Sequence, residues 1–248
     1  MAGHSKWANI KHRKARQDSK RSKMWSKCAR AIIVAARNGG GDPATNLTLR
    51  YSIDEAKAAN MPKDTIEKAI AKGSGELGTE AYETVIYEGY GPSGVAILVE
   101  CLTDNRNRTA GEVRSAFDKS GGNLGTSGSV AYIFTAKGII TLEKSAADEE
   151  QLMEIALEAG AEDIADQDDY WEVTSEPGNY IPVKEALEAA GLTLESSEMT
   201  MIASNTVECA GDVARKVMNL VDKLEDLDDV QKVHANFDIP DEELAAME

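Results

Sequence analysis

Cysteine and long apolar segments are scarce in this 248-residue chain, and their scarcity excludes several protein classes. The three cysteines, at positions 28, 101 and 209, are odd in number and far apart. A disulfide framework is therefore excluded, and a reducing compartment fits. The longest strictly apolar run covers only the six residues 31–36, whereas a membrane span needs about 20. The basic start lacks the hydrophobic core of a secretion signal, so we expect a cytoplasmic protein without a membrane contact.

Histidine is also scarce, and the residue patterns of common catalytic and cofactor sites are missing. His4, His12 and His234 are isolated, and no His/Cys spacing resembles a zinc site. The segment 73–78 matches G-x-G-x-x-G, but a predicted helix precedes it where a dinucleotide site needs a strand. We interpret it as a linker. The glycine-rich segment 121–125 likewise follows a predicted helix and is interpreted as a helix stop and loop. We therefore expect no catalysis, no cofactor and no small-molecule substrate.

Two acidic clusters are the remaining candidates for a metal site, and both have a simpler interpretation. The first contains Asp166, Asp168 and Asp169, and the second contains Asp226, Asp228 and Asp229. Two metal ions could be held by such carboxylates. However, both clusters belong to a strongly acidic part of the chain, where carboxylates mostly face solvent. We expect solvated surface at both places, with the second cluster at most ending the last helix, and no metal.

The charge is divided very unevenly along the chain. The formal net charge is −16, yet residues 1–30 hold ten Lys or Arg and one acid. Residues 1–72 hold 16 basic and 6 acidic residues, and residues 73–248 hold 11 basic and 37 acidic ones. A basic head on an acidic body is typical of a protein whose head binds a polyanion. The alternative is a solubility gradient with no partner, but closely spaced cations repel each other and need a reason.

The hydrophobic periodicity predicts a helical region followed by an α+β region. Three helices are predicted between residues 20 and 73, one of them with Trp25 on its apolar face, and the turn between the second and third permits a helix-turn-helix interpretation. Beyond residue 79, β-type segments alternate with helices. The predicted strands lie at 85–87, 95–99, 130–134, 139–142, 163–166, 170–175, 193–202 and 230–237, and the predicted helices at 107–119, 149–159, 180–190 and 211–226.

The order of these elements predicts a domain layout. The segment 79–129 lacks a second half that the last helix and strand would supply. We predict an α+β fold that begins with a basic arm (residues 1–20) and a three-helix domain, together covering 1–78. Two small α+β domains of the ferredoxin-like, split βαβ type follow. One is discontinuous, from 79–129 and 205–248, and an acidic one over 130–204 is inserted in it. A contiguous two-domain layout is the alternative.

The candidate nucleic-acid contacts are cations of the arm and of the first helix, with one aromatic side chain. Lys and Arg neutralise phosphates without regard to sequence, and Trp7 would stack on an unpaired base or pack on the first helix. Two further arginines begin a helix, where an anion is favoured. The predicted contact residues are Lys6, Trp7, Lys11, His12, Arg13, Lys14, Arg16, Lys20, Arg21, Lys23, Lys27, Arg30, Arg106 and Arg108.

Several long motifs resemble the YebC/PmpR family, and the resemblance covers nearly the whole chain. These motifs are GHSKWANIK (3–11), GGGDP (39–43), ANMP (59–62), LTDNRNRT (102–109), GGNLG (121–125), LEDLDDV (224–230) and DIPD (238–241). Leu47-Thr48 stands where relatives usually have Pro-Arg, and Ala203 stands where proline is common. The first departure removes one cation from the helical domain.

The resemblance implies three domains, a cytoplasmic location and no catalysis. Bacterial relatives are described as DNA-binding transcriptional regulators, a mitochondrial relative is a translational activator, and some bacterial members resemble ribosome-associated factors that ease difficult peptide-bond formation. We therefore expect a non-enzymatic regulator of gene expression that binds duplex DNA, or alternatively ribosomal RNA on the ribosome. Basic proteins are expected as possible further partners, bound through the acidic body.

Overall fold

The structure, a computed structural model, describes residues 18–75, 82–167 and 169–240. These residues divide into two compact units. The first contains the described residues up to Phe134 together with those from Ala203 onward, and the second is Thr135–Ile202. The fold is α+β, as the sequence predicts, with a helical region followed by antiparallel sheets and helices. The three-domain layout stays a prediction.

Three helices open the first unit, namely α1 (Asp18–Gly39), α2 (Leu47–Ala58) and α3 (Lys63–Ser74). Helix α1 ends where Gly40 takes a φ of +87°, a left-handed conformation that glycine adopts without strain. The buried Asn46 side chain then begins α2, since it accepts a hydrogen bond from the Leu49 N–H (3.0 Å). Its amide also donates to the carbonyls of Ala35 and Gly40, each at 2.8 Å. One side chain therefore fixes both the end of α1 and the start of α2.

The three helices share a small apolar core that includes Cys28, Ile32, Leu49 and Ile66. Trp25 packs against this core and donates its indole N–H to the Ala59 carbonyl at 2.9 Å. The core placement predicted for Trp25 is therefore confirmed.

A four-stranded sheet forms the centre of the first unit. Strands β1 (Glu83–Tyr90) and β2 (Ala96–Thr103) make an antiparallel pair, and helix α4 (Arg106–Lys119) leads to the short β3 (Asn123–Leu124). After the second unit the chain returns through β8 (Val207–Glu208), α7 (Gly211–Glu225), β9 (Val230–Ala235) and β10 (Phe237–Asp238). The sheet order is β3-β1-β2-β9, and β8 pairs with β10 in parallel. The central strand β2 is therefore completed by β9 from the end of the chain.

Helices α4 and α7 pack on one face of this sheet. The buried residues of the two helices meet those of β2 and β9 in one core, which includes Val99, Phe117, Leu220, Leu224 and Val233. Full burial of such side chains stabilises a fold by about 1.5–3 kcal/mol each. The core holds the start of α4 and the end of α7 in fixed positions, and these two ends carry the site described below.

The second unit has the element order β-α-β-β-α-β. Its members are β4 (Phe134–Glu143), α5 (Glu149–Glu158), β5 (Ala161–Gln167), β6 (Tyr170–Ser175), α6 (Tyr180–Ala189) and β7 (Ser196–Ala203), in the sheet order β5-β6-β4-β7. Residues 135–202 contain 17 acidic and three basic side chains. This unit is therefore the most acidic part of the body.

One predicted strand is wrong. The segment 130–134 is a 3-10 turn at Ala131–Ile133, and β4 begins only at Phe134. The turn forms because the backbone N–H groups of Val130 and Ala131 donate to the Glu88 side chain, 2.7 and 2.8 Å away, and not to a neighbouring strand.

Within the described residues, no helix is both long and apolar enough to cross a membrane.

Candidate nucleic-acid interface

The predicted contact residues fall into three groups in the structure. Seven lie outside the described residues, namely Lys6, Trp7, Lys11, His12, Arg13, Lys14 and Arg16. Lys20 and Arg21 belong to the first turn of α1, which begins at Asp18. The remaining five are Lys23, Lys27, Arg30, Arg106 and Arg108, and the structure brings four of these five to one place.

The three cations of α1 contact the end of α7 and the turn that follows it. Lys23 donates to the Asp226 carbonyl at 2.8 Å, and Lys27 donates to the Glu225 carbonyl at 2.7 Å. The last carbonyls of a helix lack partners within it and carry partial negative charge, so cations stabilise them. Lys23 also lies 3.8 Å from the Asp228 carboxylate. We call this contact between α1 and residues 225–229 the seam.

A buried carboxylate, Asp229, lies at the centre of the seam. Arg30 donates to its Oδ1 atom at 3.2 Å, and Arg108 donates to its Oδ2 atom at 2.6 Å. The hydroxyls of Thr103 and Thr109 also donate to Oδ2, at 3.1 and 2.7 Å. One side chain from the end of the chain therefore joins α1, β2 and α4.

The environment of Asp229 keeps it ionised. Burial alone would raise its pKa, but the hydrogen bonds from Arg108, Thr109 and Thr103 outweigh burial and lower the pKa. The same contacts, from Asp229 and then Asp104, raise the pKa of the Arg108 guanidinium. The sequence-based expectation that this cluster is solvated surface is wrong for Asp229, whose side chain is only 8% exposed. It holds for Asp228, whose side chain is 79% exposed.

Arg106 and Arg108 start α4, as predicted, but they have different surroundings. The Asn105 side chain caps the helix by accepting from the Arg108 N–H at 3.1 Å. Arg106 is exposed, and its carbonyl accepts a hydrogen bond from the Tyr87 hydroxyl at 3.1 Å. The Arg108 guanidinium also contacts the Asp104 carboxylate at 2.8 Å. Arg108 is thus engaged by two carboxylates within the chain.

The exposed side of α3 mixes charges of both signs. Lys63 lies 3.8 Å from Glu67, one helical turn away, and Asp64 and Lys68 are exposed beside them. In the neighbouring α2, Glu55 forms an ion pair with Lys232 of β9. A recognition helix in a DNA groove would have to bring these acids close to phosphates.

Glu88 is a second buried carboxylate, and sequence reasoning missed its role. It accepts hydrogen bonds from the backbone N–H groups of Gly128 (2.6 Å), Val130 and Ala131. Burial opposes its ionisation, but these three donors together lower its pKa. The signal in the sequence was an acid within an apolar strand followed by the glycine-rich segment. Glu88 fixes that segment and the turn after it.

No group of three or more His, Cys, Asp or Glu side chains in the described part of the chain could hold a metal ion. The three cysteines are free thiols and buried.

Comparison with known proteins identifies relatives along the whole chain. A family model described as the TACO1/YebC protein N-terminal domain matches residues 5–76, and one described as the TACO1/YebC second and third domain matches residues 82–237. Proteins named probable transcriptional regulatory protein from Geobacter sulfurreducens and Persephonella marina are 55% and 56% identical to this chain. The alignments cover 98% of both chains for the first protein and 96% of both for the second.

A solved structure agrees with the fold. The crystal structure of the conserved hypothetical protein Aq1575 from Aquifex aeolicus is 48% identical, with a TM-score of 0.78. The match covers 90% of this chain and 93% of that one.

Proposed function

Because the chain belongs to the TACO1/YebC family, we propose that it is a non-enzymatic, nucleic-acid-binding regulator of gene expression. More specifically, we propose a DNA-binding transcriptional regulator that holds phosphates through its basic arm, residues 1–20. The observation that carries the proposal is the charge division, with ten cations and one acid in residues 1–30 of a chain of net charge −16. The names of the relatives support transcription as the level of action.

The seam divides the predicted contact residues by role. Lys23, Lys27 and Arg30 are held by residues 225–229, so they anchor α1 to the body. The phosphate contacts are therefore assigned to the cations before α1 and in its first turn, together with the exposed Arg106. Besides Arg106, the assigned cations are Lys6, Lys11, Arg13, Lys14, Arg16, Lys20 and Arg21.

A ribosome-bound translation factor is the second candidate. The observation that favours it is the mixed charge on α3, where Asp64 and Glu67 are exposed beside lysines. A helix of this kind is poorly suited to lie in a DNA groove, whereas a basic arm can bind phosphates of folded RNA without a recognition helix. In this role the protein would bind ribosomal RNA and ease stalled peptide-bond formation, with basic proteins as neighbours of the acidic body.

Ribosome co-sedimentation at physiological salt, in the presence of excess duplex DNA, tests the two candidates. The full chain is run beside a version lacking residues 1–20. If DNA keeps the full chain in the supernatant and a promoter duplex binds more tightly than a scrambled one, the transcriptional proposal holds. If the full chain sediments with ribosomes and the truncated one does not, the ribosomal alternative replaces it. If truncation changes neither binding, the assignment to the arm is wrong.

A further inference from the structure

Tyr132 is the most exposed large apolar side chain among the described residues, at 78% of its surface. It lies in the 3-10 turn Ala131–Ile133, directly after the glycine-rich segment. The next residue, Ile133, is buried, as is Val130 two residues before Tyr132, and Ala131 between them is partly buried. The turn therefore presents one aromatic ring to solvent.

The turn that carries Tyr132 is held firmly. Glu88 accepts from the N–H groups of Val130 and Ala131, and the Ile133 carbonyl accepts from the Ser204 N–H at 2.8 Å. The Tyr90 hydroxyl donates to the Ser129 carbonyl at 2.9 Å. An aromatic ring on so ordered a backbone loses little conformational freedom when a flat partner stacks on it.

The chain around Tyr132 carries no charge. Residues 120–136 form a run of 17 without Asp, Glu, Lys or Arg, in a chain where 28% of residues are charged. Thr126, Ser127 and Gly128 within it are exposed, and Gly128 is tied by Glu88 to the same turn. The segment itself adds no negative charge to the acidic body, and it offers hydroxyl and backbone hydrogen-bonding groups.

We propose that Tyr132, with the exposed residues 126–128 beside it, is a second nucleic-acid contact where the ring stacks on an unpaired base. The inference rests on the proposed function and deepens it, because it names the ligand as an unpaired nucleobase. Base–aromatic stacking tolerates any base, since every base has a π-face. A protein partner is the weaker fit, because small polar residues adjoin the ring, whereas a protein hot spot has a desolvated apolar surround.

The test compares the full chain with Tyr132→Ala and Tyr132→Phe. The probes are a hairpin with 2-aminopurine in its unpaired loop, made once in RNA and once in DNA, and a blunt duplex with the same stem. Tyr132→Ala is expected to weaken hairpin binding roughly 5- to 150-fold, the loss expected for one stack, and to leave duplex binding unchanged. Tyr132→Phe keeps the ring and is expected to keep both the affinity and the quenching of 2-aminopurine.

The control variant is Leu157→Ala, which removes an exposed apolar side chain from the second unit. Leu157→Ala is expected to bind the hairpin and the duplex with the same affinity as the unchanged chain. Thermal melting checks that Tyr132→Ala stays folded, which its exposure predicts. The RNA and DNA hairpins show which nucleic acid the contact prefers.

Four outcomes overturn the inference, and only the last of them also overturns the proposed function. If Tyr132→Ala binds the hairpin as the unchanged chain does, or weakens hairpin and duplex equally, the stacking contact is wrong while arm binding stands. If Tyr132→Phe loses as much as Tyr132→Ala, the hydroxyl and not the ring matters, and stacking is wrong. If the unchanged chain binds neither probe, both the inference and the proposed function fail.

Discussion

Replacing Asp229 with Asn removes one negative charge from the centre of the seam and leaves its shape almost unchanged. The Asp229 carboxylate accepts four hydrogen bonds, two from arginines and two from threonines. Removing one partner of a buried ion pair costs about 3–5 kcal/mol, because the other partner is left without compensation. Arg30 is only 17% exposed, but Arg108 is 43% exposed and regains water. We therefore expect a loss of about 3 kcal/mol, at the lower end of that range.

Urea unfolding, followed through Trp25 in a background where Trp7 and Trp171 are Phe, measures this loss in the first unit. Asp228→Asn is the matched control, because Asp228 is next in sequence and exposed, and its surface pair with Lys23 is worth at most about 1 kcal/mol. Equal losses of unfolding free energy for the two variants would contradict this prediction, since the buried carboxylate would then stabilise the fold no more than the exposed one does.

The lowered pKa of Asp229 predicts that the stability difference between the unchanged chain and Asp229→Asn depends on pH. The pKa of Asp229 is lower in the folded chain than its unfolded value of about 3.9. The stability that the ionised carboxylate contributes to the folded chain is therefore fully present above the unfolded pKa. It is lost as the pH falls through the folded pKa, where both states bind the proton. The stability difference between the unchanged chain and Asp229→Asn should therefore be constant above about pH 5 and shrink below about pH 4. A difference that persists undiminished in acid would contradict the assigned ionisation.

Three further predictions concern the frame around the site. Gly73→Ala should lower the free energy of unfolding in urea by about 1–3 kcal/mol, because the new Cβ would overlap the Ile33 carbonyl oxygen. Gly111→Ala, in open space on α4, should raise it by up to about 1 kcal/mol. A similar effect of both substitutions would contradict the close helix contact at Gly73. Glu88→Gln should cost about 1.5–3 kcal/mol at pH 7 in the same assay, and progressively less below about pH 4, because its folded pKa is lowered; a loss independent of pH would argue against an ionised Glu88. Burial raises the pKa of Cys101 to about 12, so mass spectrometry should find it unalkylated by iodoacetamide in the native chain at pH 8 and alkylated in urea; native labelling would contradict its burial.

Most of the fold could be predicted from the sequence because its elements follow from local patterns. The apolar periodicity of α1 and the glycines after it, Pro62 before α3, and the apolar run in β2 each specify an element within a short window. The failure at 130–134 has a local apolar pattern too, but a side chain 42 residues away decides it. Glu88 takes the N–H groups that a strand would need, and no local pattern shows that.

The candidate site was less predictable, because its contacts are long-range. Asp229 lies 121 residues from Arg108 and 199 from Arg30, so acid density gave no hint that one carboxylate of the cluster is buried. Lys23 and Lys27 looked like phosphate contacts by their charge alone. Only the position of the last turn of α7 shows that they bind helix carbonyls within the chain.

The salt dependence of duplex binding tests the proposal that the basic arm, residues 1–20, carries most of the phosphate contacts. The arm variant replaces Lys11, Arg13, Lys14 and Arg16 by Ala, and the control variant replaces Arg114, Lys119, Arg215 and Lys216, four exposed cations of the body, so the change in net charge is equal. We expect the arm variant to flatten the slope of log binding constant against log salt concentration by up to about 0.9 per lost phosphate contact, and the control variant to keep the original slope. Equal flattening in both variants, or an unchanged slope in the arm variant, would show that the arm does not carry these contacts.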